Sequence, residues 1–380
     1  MFLILFHKNF LTVPQHKKIP NMKQKIIIAA LSLLSLQATA QTEVTAYKPG
    51  ITTEGITYFL PQTRVRVKVT ARKTHYEAGE YCEYAERYLR LKDVPQTAYD
   101  EWEIEDIQLT PYGVADPSRA YSIKMRSKTS APLVSLMGDG RLVSVNAPAN
   151  LIEPVLPQAG IKAEKHATAK GVNYKTEEIL AAGSTAKMAE LAANEIYDIR
   201  ENRNLLTKGQ ADFMPKDGEQ LRLMLASLDT QEAALLQLFQ GTATTQAETF
   251  VFDIIPTEET ASQTLFSFSR YLGVVDADDP AGTPVRYAVK DLHTLPAAVP
   301  VSEKEKQRRE AEDLRYIVPG KVQVTVFDDS RQFASETLPM AQFGRIEHLG
   351  GDLFNRKSAT RVQLSPVTGG IVKIEAEKPE

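Results

Sequence analysis

Arg64–Leu91 reads RVRVKVTARKTHYEAGEYCEYAERYLRL. Val65, Val67 and Val69 alternate with Arg64, Arg66 and Lys68, the period of a strand with one face buried and a basic face outside. Glu77-Ala78-Gly79 then reads as a turn, and the period changes. Cys82, Ala85 and Leu89 fall at i, i+3 and i+7, which predicts a short helix over Glu80–Arg90. This strand and helix open a chain whose strands and helices fall in separate runs, two β-rich parts joined by a helical segment, which predicts the α+β class.

Downstream, Trp102 and Ile104 alternate with Glu101, Glu103 and Glu105, a strand with an acidic outer face that complements the basic one. A further strand is predicted at Tyr121–Met125. A hairpin follows, its arms LVSLM and RLVSVN flanking Gly138-Asp139-Gly140. Pro148, Pro154 and Pro157 mark residues 147–173 as a linker or long surface loop. The period then becomes helical. Ser184 or Thr185 caps a helix to about Leu206, with Gly209 past its end and Ala186, Ala189, Ala193 and Ile196 on one face. Asp217-x-x-Gln220 and Asp229-x-x-Glu232 each have the form of a capping box. Leu221, Met224, Leu225 and Leu228 share a face, and the helical signal stops at Gly241.

After Thr249 strands return. Phe250, Phe252 and Ile254 alternate, and TLFSFSRYLGVV and PVRYAVKDL read as hairpin arms around DADDPAG. SEKEKQRREAED (302–313) is charged on every side, so it lies outside any core. KVQVTVF, ATRVQLS and GIVKIE are the closing strands. The expected organisation is a leader (1–40), an N-terminal β-rich part (41–146), a linker (147–173), an Ala/Leu-rich helical segment (174–241) and a C-terminal β-rich part (242–380). The two β-rich, antiparallel, sandwich-like parts form either two sandwiches or one composite system.

Residues 22–40 have the anatomy of a signal peptide: Lys23 and Lys25, an apolar run Ile26–Leu36, then Ala38-Thr39-Ala40. The run is shorter than the roughly 20 residues that span a bilayer, so cleavage is the expected fate rather than a retained anchor. Residues 1–21 then precede the true start at Met22, and Gln41 after the cut excludes a lipidated cysteine. The leader holds five lysines and no acid, so the mature chain is more acidic than the −3 of the whole. That balance opposes nucleic-acid binding, which needs clustered Lys and Arg. Cys82 is the only cysteine, so an exported chain gains no internal disulfide and depends on its core.

Motifs for chemistry are sparse. Ser184-Thr185-Ala186-Lys187 fits S-x-x-K, the acylating motif of penicillin-binding enzymes, but its companion motifs are missing. The run Asp100, Glu101, Glu103, Glu105, Asp106 reads as a solvated ladder before a glycosidase pair. Asp276, Asp278 and Asp279 have the oxygen density of a calcium loop, yet Pro280 and Gly282 point to a turn. Arg200 and Arg203 sit where a helix end complements its dipole. His75, His166, His293 and His348 are scattered, without zinc-site spacing. No metal and no cofactor is expected. Tyr81, Tyr84 and Tyr88, with Trp102, are the candidate ligand-binding residues, a ring platform for a sugar or a protein partner. The plainer reading places such tyrosines at a helix–sheet seam.

Five stretches, TYFLPQTRVRVKVT, YEAGEYCEYAERYLRLKDV, NEIYDIRENRNLLTKGQ, DGEQLRLMLASLDTQEAALLQLFQG and SPVTGGIVKI, resemble an exported Bacteroidetes family of unknown function, domain of unknown function 4831. The resemblance covers roughly Gly55–Ile374 and implies export to a Gram-negative envelope, in the periplasm or at the outer-membrane surface. It transfers no catalytic residue. The leading expectation is therefore a non-catalytic binding or assembly protein of the envelope that meets a protein or glycan. The alternative is an envelope hydrolase acting on glycan or peptidoglycan through a dispersed site.

Overall fold

The computed structural model describes residues 42–46, 56–125, 134–149, 153–163, 170–350 and 360–376. The leader (1–40) lies outside them, as does His166. The valine alternation becomes β2 (Ile56–Glu77), with Val65, Val67, Val69 and Ala71 fully buried. Beside it runs β3 (Tyr99–Met125), and the first sheet has the order β1 (Thr42–Ala46), β3, β2, β7 (Thr242–Ile254), β6 (Gly160–Ala163). Arg72 meets Glu103 at 3.7 Å across the register, and Arg66 makes a two-pronged contact with Asp253 of β7 at 2.9 Å. These ion pairs are solvated and contribute only tenths of a kcal/mol each.

The second sheet has the order β12 (Gln332–Leu349), β11 (Leu314–Phe327), β10 (Thr283–Asp291), β8 (Thr260–Ser269), β9 (Gly273–Val275). Its Val285, Val289, Val322, Val324 and Val326 pack on the valines of β2 in one core. The two β-rich parts thus face each other as a single composite sandwich, and β7, which follows the helices in sequence, lies in the first sheet. Burying one such valine stabilises by roughly 1.5–3 kcal/mol relative to exposure, so this core dominates. A third sheet, β14 (Ile371–Ala376), β13 (Thr360–Leu364), β5 (Leu142–Val145), β4 (Val134–Leu136), packs on the other end of β2 through Tyr58 and Leu60. Thr63 locks the junction. Its hydroxyl donates to the Val367 carbonyl at 2.9 Å and accepts from the Ala341 N–H at 3.0 Å.

A separate helical core sits at the far end of β2. It contains the 3-10 turn Cys82–Tyr84, α1 (Ala85–Leu89), α2 (Glu177–Ala181), α3 (Thr185–Lys208) and α4 (Gly218–Gln240). The local signals hold: Ser184 caps α3, Gly209 closes it at φ 68°, and Asp217 caps α4. Ala189, Ala192, Ala193 and Ile196 form its buried seam. The charged stretch becomes α5 (Glu303–Glu312), where Arg308 and Arg309 hold the Glu305 carboxyl down to about 2.

Several elements differ from expectation. β3 runs unbroken through Pro111, Gly113 and Pro117, because β1 pairs only with Tyr121–Met125 and an edge strand tolerates proline. α4 passes through Asp229 without a new start, since Asp229 and Glu232 are drawn into ion pairs with α3 instead of capping. TLFSFSRYLGVV holds its own turn at Gly273 (φ 79°), so β10 pairs with β8 rather than with β9. β12, with Pro339 and Gly344, and the four-residue β6 inside 147–173 carry no clear alternation and went unpredicted.

Candidate functional site

The four candidate residues do not form one platform. Tyr81 is fully buried in the helical core, 5.6 Å from the Phe239 ring, and burial pushes its phenol up. Lys175 lies 5.2 Å over its ring and is ion-paired with Glu80. Tyr84 and Tyr88 are half-buried, stacked at 6.1 Å, and belong to the seam between α1 and α3. The Tyr197 hydroxyl donates to the Tyr88 carbonyl there at 2.8 Å. Trp102 lies apart, on β3. Its backbone N–H donates to the Arg270 carbonyl at 2.7 Å, and its ring rests on Gly273, where a Cβ would come within 2.9 Å.

The other candidate groups are engaged structurally. Ser184 Oγ accepts from the Lys187 N–H, and Lys187 Nζ pairs with Glu190 at 2.9 Å. Arg200 Nε donates to Glu232 at 2.6 Å, and Arg203 reaches the same carboxylate. Burial pushes Glu232 up, but the two guanidiniums outweigh it and hold the carboxyl below its ordinary value. His75 Nδ1 lies 2.6 Å from Asp100 on an exposed face, and that hydrogen bond raises the imidazole. Asp279 Oδ1 accepts from the Ala281 N–H at 2.8 Å, so the DADDPAG stretch is a turn. Among the described residues no group of His, Cys, Asp and Glu could hold a metal.

The sheet edges supply what the motifs do not. β7 gives one edge to β2 along its whole length. On its other edge β6 covers only Gln246–Thr249, and among the described residues no strand lies beside Phe250–Ile254. β8 gives one edge to β10, while β9 covers only Ser267–Ser269 on the other. A cleft of about 760 Å³ opens between these partly covered edges, in the range of ligand pockets. Phe250, Phe252, Leu265, Phe266 and Val274 line it, with Asp276 and Asp279 at its rim.

Phe252 stacks on Phe266 at 4.8 Å with an interplanar angle of 9°. Phe266 is 1% exposed and belongs to the core. Phe250 and Phe252 alternate with Val251 and Asp253 in step with buried Ile254, yet both are only partly buried. Val285 pairs with Phe266 but Arg286 with Thr264, so Leu265 is an inserted residue. The bulge lets Leu265 and Phe266, neighbours in sequence, both reach the cleft, a common use of bulges at sites. The lining is apolar, with backbone edges and two rim carboxylates. Its chemistry is recognition of apolar groups.

A family model described as Domain of unknown function (DUF4831) matches residues 54–372. The chain belongs to this family. The match runs from β2 into β14, so the DUF4831 domain contains all three sheets, the helical core and the cleft. No curated protein and no solved structure matches the chain. In the DUF4831 sequence the cleft has one visible trace, the alternation of Phe250 and Phe252. That pattern is the same for a sealed core strand and an open one, and cover depends on β9 and β6, which are distant in sequence or too short to recognise.

Proposed function

We propose that this DUF4831 protein is a non-catalytic binding or assembly module of the cell envelope, exported by the signal peptide at residues 22–40, that holds an apolar segment of a partner protein in the cleft between β7 and β8. The partly exposed aromatic floor of Phe250 and Phe252, packed on the core beside fully buried Phe266 and opening into the cleft, is the observation that carries the reading. Water-exposed rings inside a sandwich are unfavourable unless something covers them. A protein segment suits the cleft better than a glycan. Sugar hydroxyls buried on an apolar floor would lose their hydrogen bonds at a cost of roughly 1–3 kcal/mol each. The resemblance to an exported envelope family supports residence in the periplasm or at the outer-membrane surface; among the described residues no helix is long and apolar enough to cross a membrane.

The test is site-specific photocrosslinking in intact cells. Benzoylphenylalanine at Phe252 should give one discrete adduct that the same probe at exposed Glu336 does not give, and Phe250→Asp should abolish it. An adduct equally strong from both positions, or none from Phe252, would remove the cleft from the function. Sequencing the mature N-terminus checks export, which predicts a start at Gln41.

A further inference from the structure

We infer that the occupant of this cleft is an extended strand, added to the free edge of β7, with apolar side chains at alternate positions entering between the sheets. This rests on the cleft reading above and specifies it. The backbone carries the argument. In a ladder each residue turns its N–H and C=O to one neighbour or the other, so Phe250–Ile254, paired among the described residues only with β2, presents a row of donors and acceptors outward. A small apolar ligand would fill the floor and leave that row unmatched. A strand satisfies both at once.

The dimensions agree. Phe250–Ile254 spans roughly 17 Å at strand rise, enough for about five added residues, of which two or three face inward by the period of two. The cleft meets them with Phe250, Val251, Phe252 and Leu265, while Asp253 is turned to Arg66. The expected partner segment is therefore a short run of alternating β-branched or aromatic and polar residues without proline.

The experiment uses the mature chain and fluorescein-labelled ten-residue peptides read by anisotropy. One peptide alternates valine and threonine. A second has the same composition with the valines clustered. A third keeps the alternating sequence but is N-methylated at alternate amides, which blocks pairing and leaves every side chain. The alternating peptide should bind, and hydrogen exchange should slow at Phe250–Ile254. The clustered peptide should bind about tenfold more weakly, and so should the N-methylated peptide when two edge-facing amides are blocked. Phe252→Glu, folded by circular dichroism, should lose the alternating peptide. Equal binding of the N-methylated peptide would overturn strand addition and leave the cleft as an apolar pocket. Failure of every peptide at about 1 mM, with the Phe252 crosslink intact, would also overturn it without touching the proposed function. A fluorescent fatty acid that binds where no peptide does would assign the cleft to a small apolar ligand instead.

Discussion

If the cleft is open in solution, Phe252 and Phe266 must differ in what their removal does to stability. Both rings belong to one stack at 4.8 Å. Phe266 is sealed, so Phe266→Ala forfeits its transfer free energy and leaves a cavity, together about 3–5 kcal/mol. Phe252 is mostly buried but reaches the cleft surface, so Phe252→Ala loses about two thirds or more of the roughly 3 kcal/mol of full burial, plus about 1 kcal/mol of ring stacking. The space left opens onto the cleft rather than forming a sealed void, so no cavity cost is added. The expected loss is thus about 3 kcal/mol, at the low end of the range for Phe266. Urea unfolding followed by the single tryptophan, Trp102, reports on the sandwich directly, because its ring on β3 packs against Gly273 at the start of β9 in the second sheet. A shift of midpoint at unchanged slope gives both values. A loss at Phe252 equal to that at Phe266 would mean that its ring is sealed, and the cleft would then be shut in solution.

Ser184→Ala should cost about 1 kcal/mol of stability, the usual contribution of an N-cap, and a labelled β-lactam should acylate neither form, because Ser184 and Lys187 are a cap and an ion pair. Glu232 tests the α3–α4 contact. Its folded pKa is depressed, so its stabilisation is full above the free value near about 4.3 and fades as pH falls through the lower folded value. Melting temperatures should therefore separate wild type from Glu232→Gln at neutral pH and converge as pH falls below the free carboxylate value. A gap that does not change with pH would show that the carboxylate charge is not what holds the contact.

What was legible was local. The valines of β2, the caps at Ser184 and Asp217 and the αL glycine at Gly209 are each decided within a turn of chain, and all appear where expected. The misreadings came where a distant partner reassigns a local pattern. Asp229-x-x-Glu232 has the letters of a capping box, but Arg200 and Arg203, about 30 residues earlier, recruit both carboxylates and let the helix run on. Pro111 and Pro117 have the letters of strand breakers, but a strand with one neighbour can hold them. The tyrosine cluster lies against helices rather than at the helix–sheet seam read from the sequence, because α3 and α4 supply the surface that covers it. The cleft was the least legible, since an uncovered edge depends on which strand fails to arrive.

That failure itself has a cause in the sequence. β6 pairs Gly160 with Thr249 and Ala163 with Gln246. Extending the same antiparallel register backwards would set residues 159 to 155 along Phe250–Ile254, with Pro157 opposite Phe252. Pro157 has no N–H to give the ladder, and Pro154 follows three residues further out. These prolines hold 153–159 off β7 and keep the edge free, as prolines do where an edge must not pair by default. Replacing both, Pro154→Val with Pro157→Val, should let β6 lengthen over Phe250–Ile254. Amide exchange there should slow, urea resistance should rise, and binding of the alternating peptide should fall because the chain's own strand now occupies its place. If exchange slows while peptide binding is untouched, the peptide does not use the β7 edge. If exchange does not change, the prolines are not what keeps that edge open.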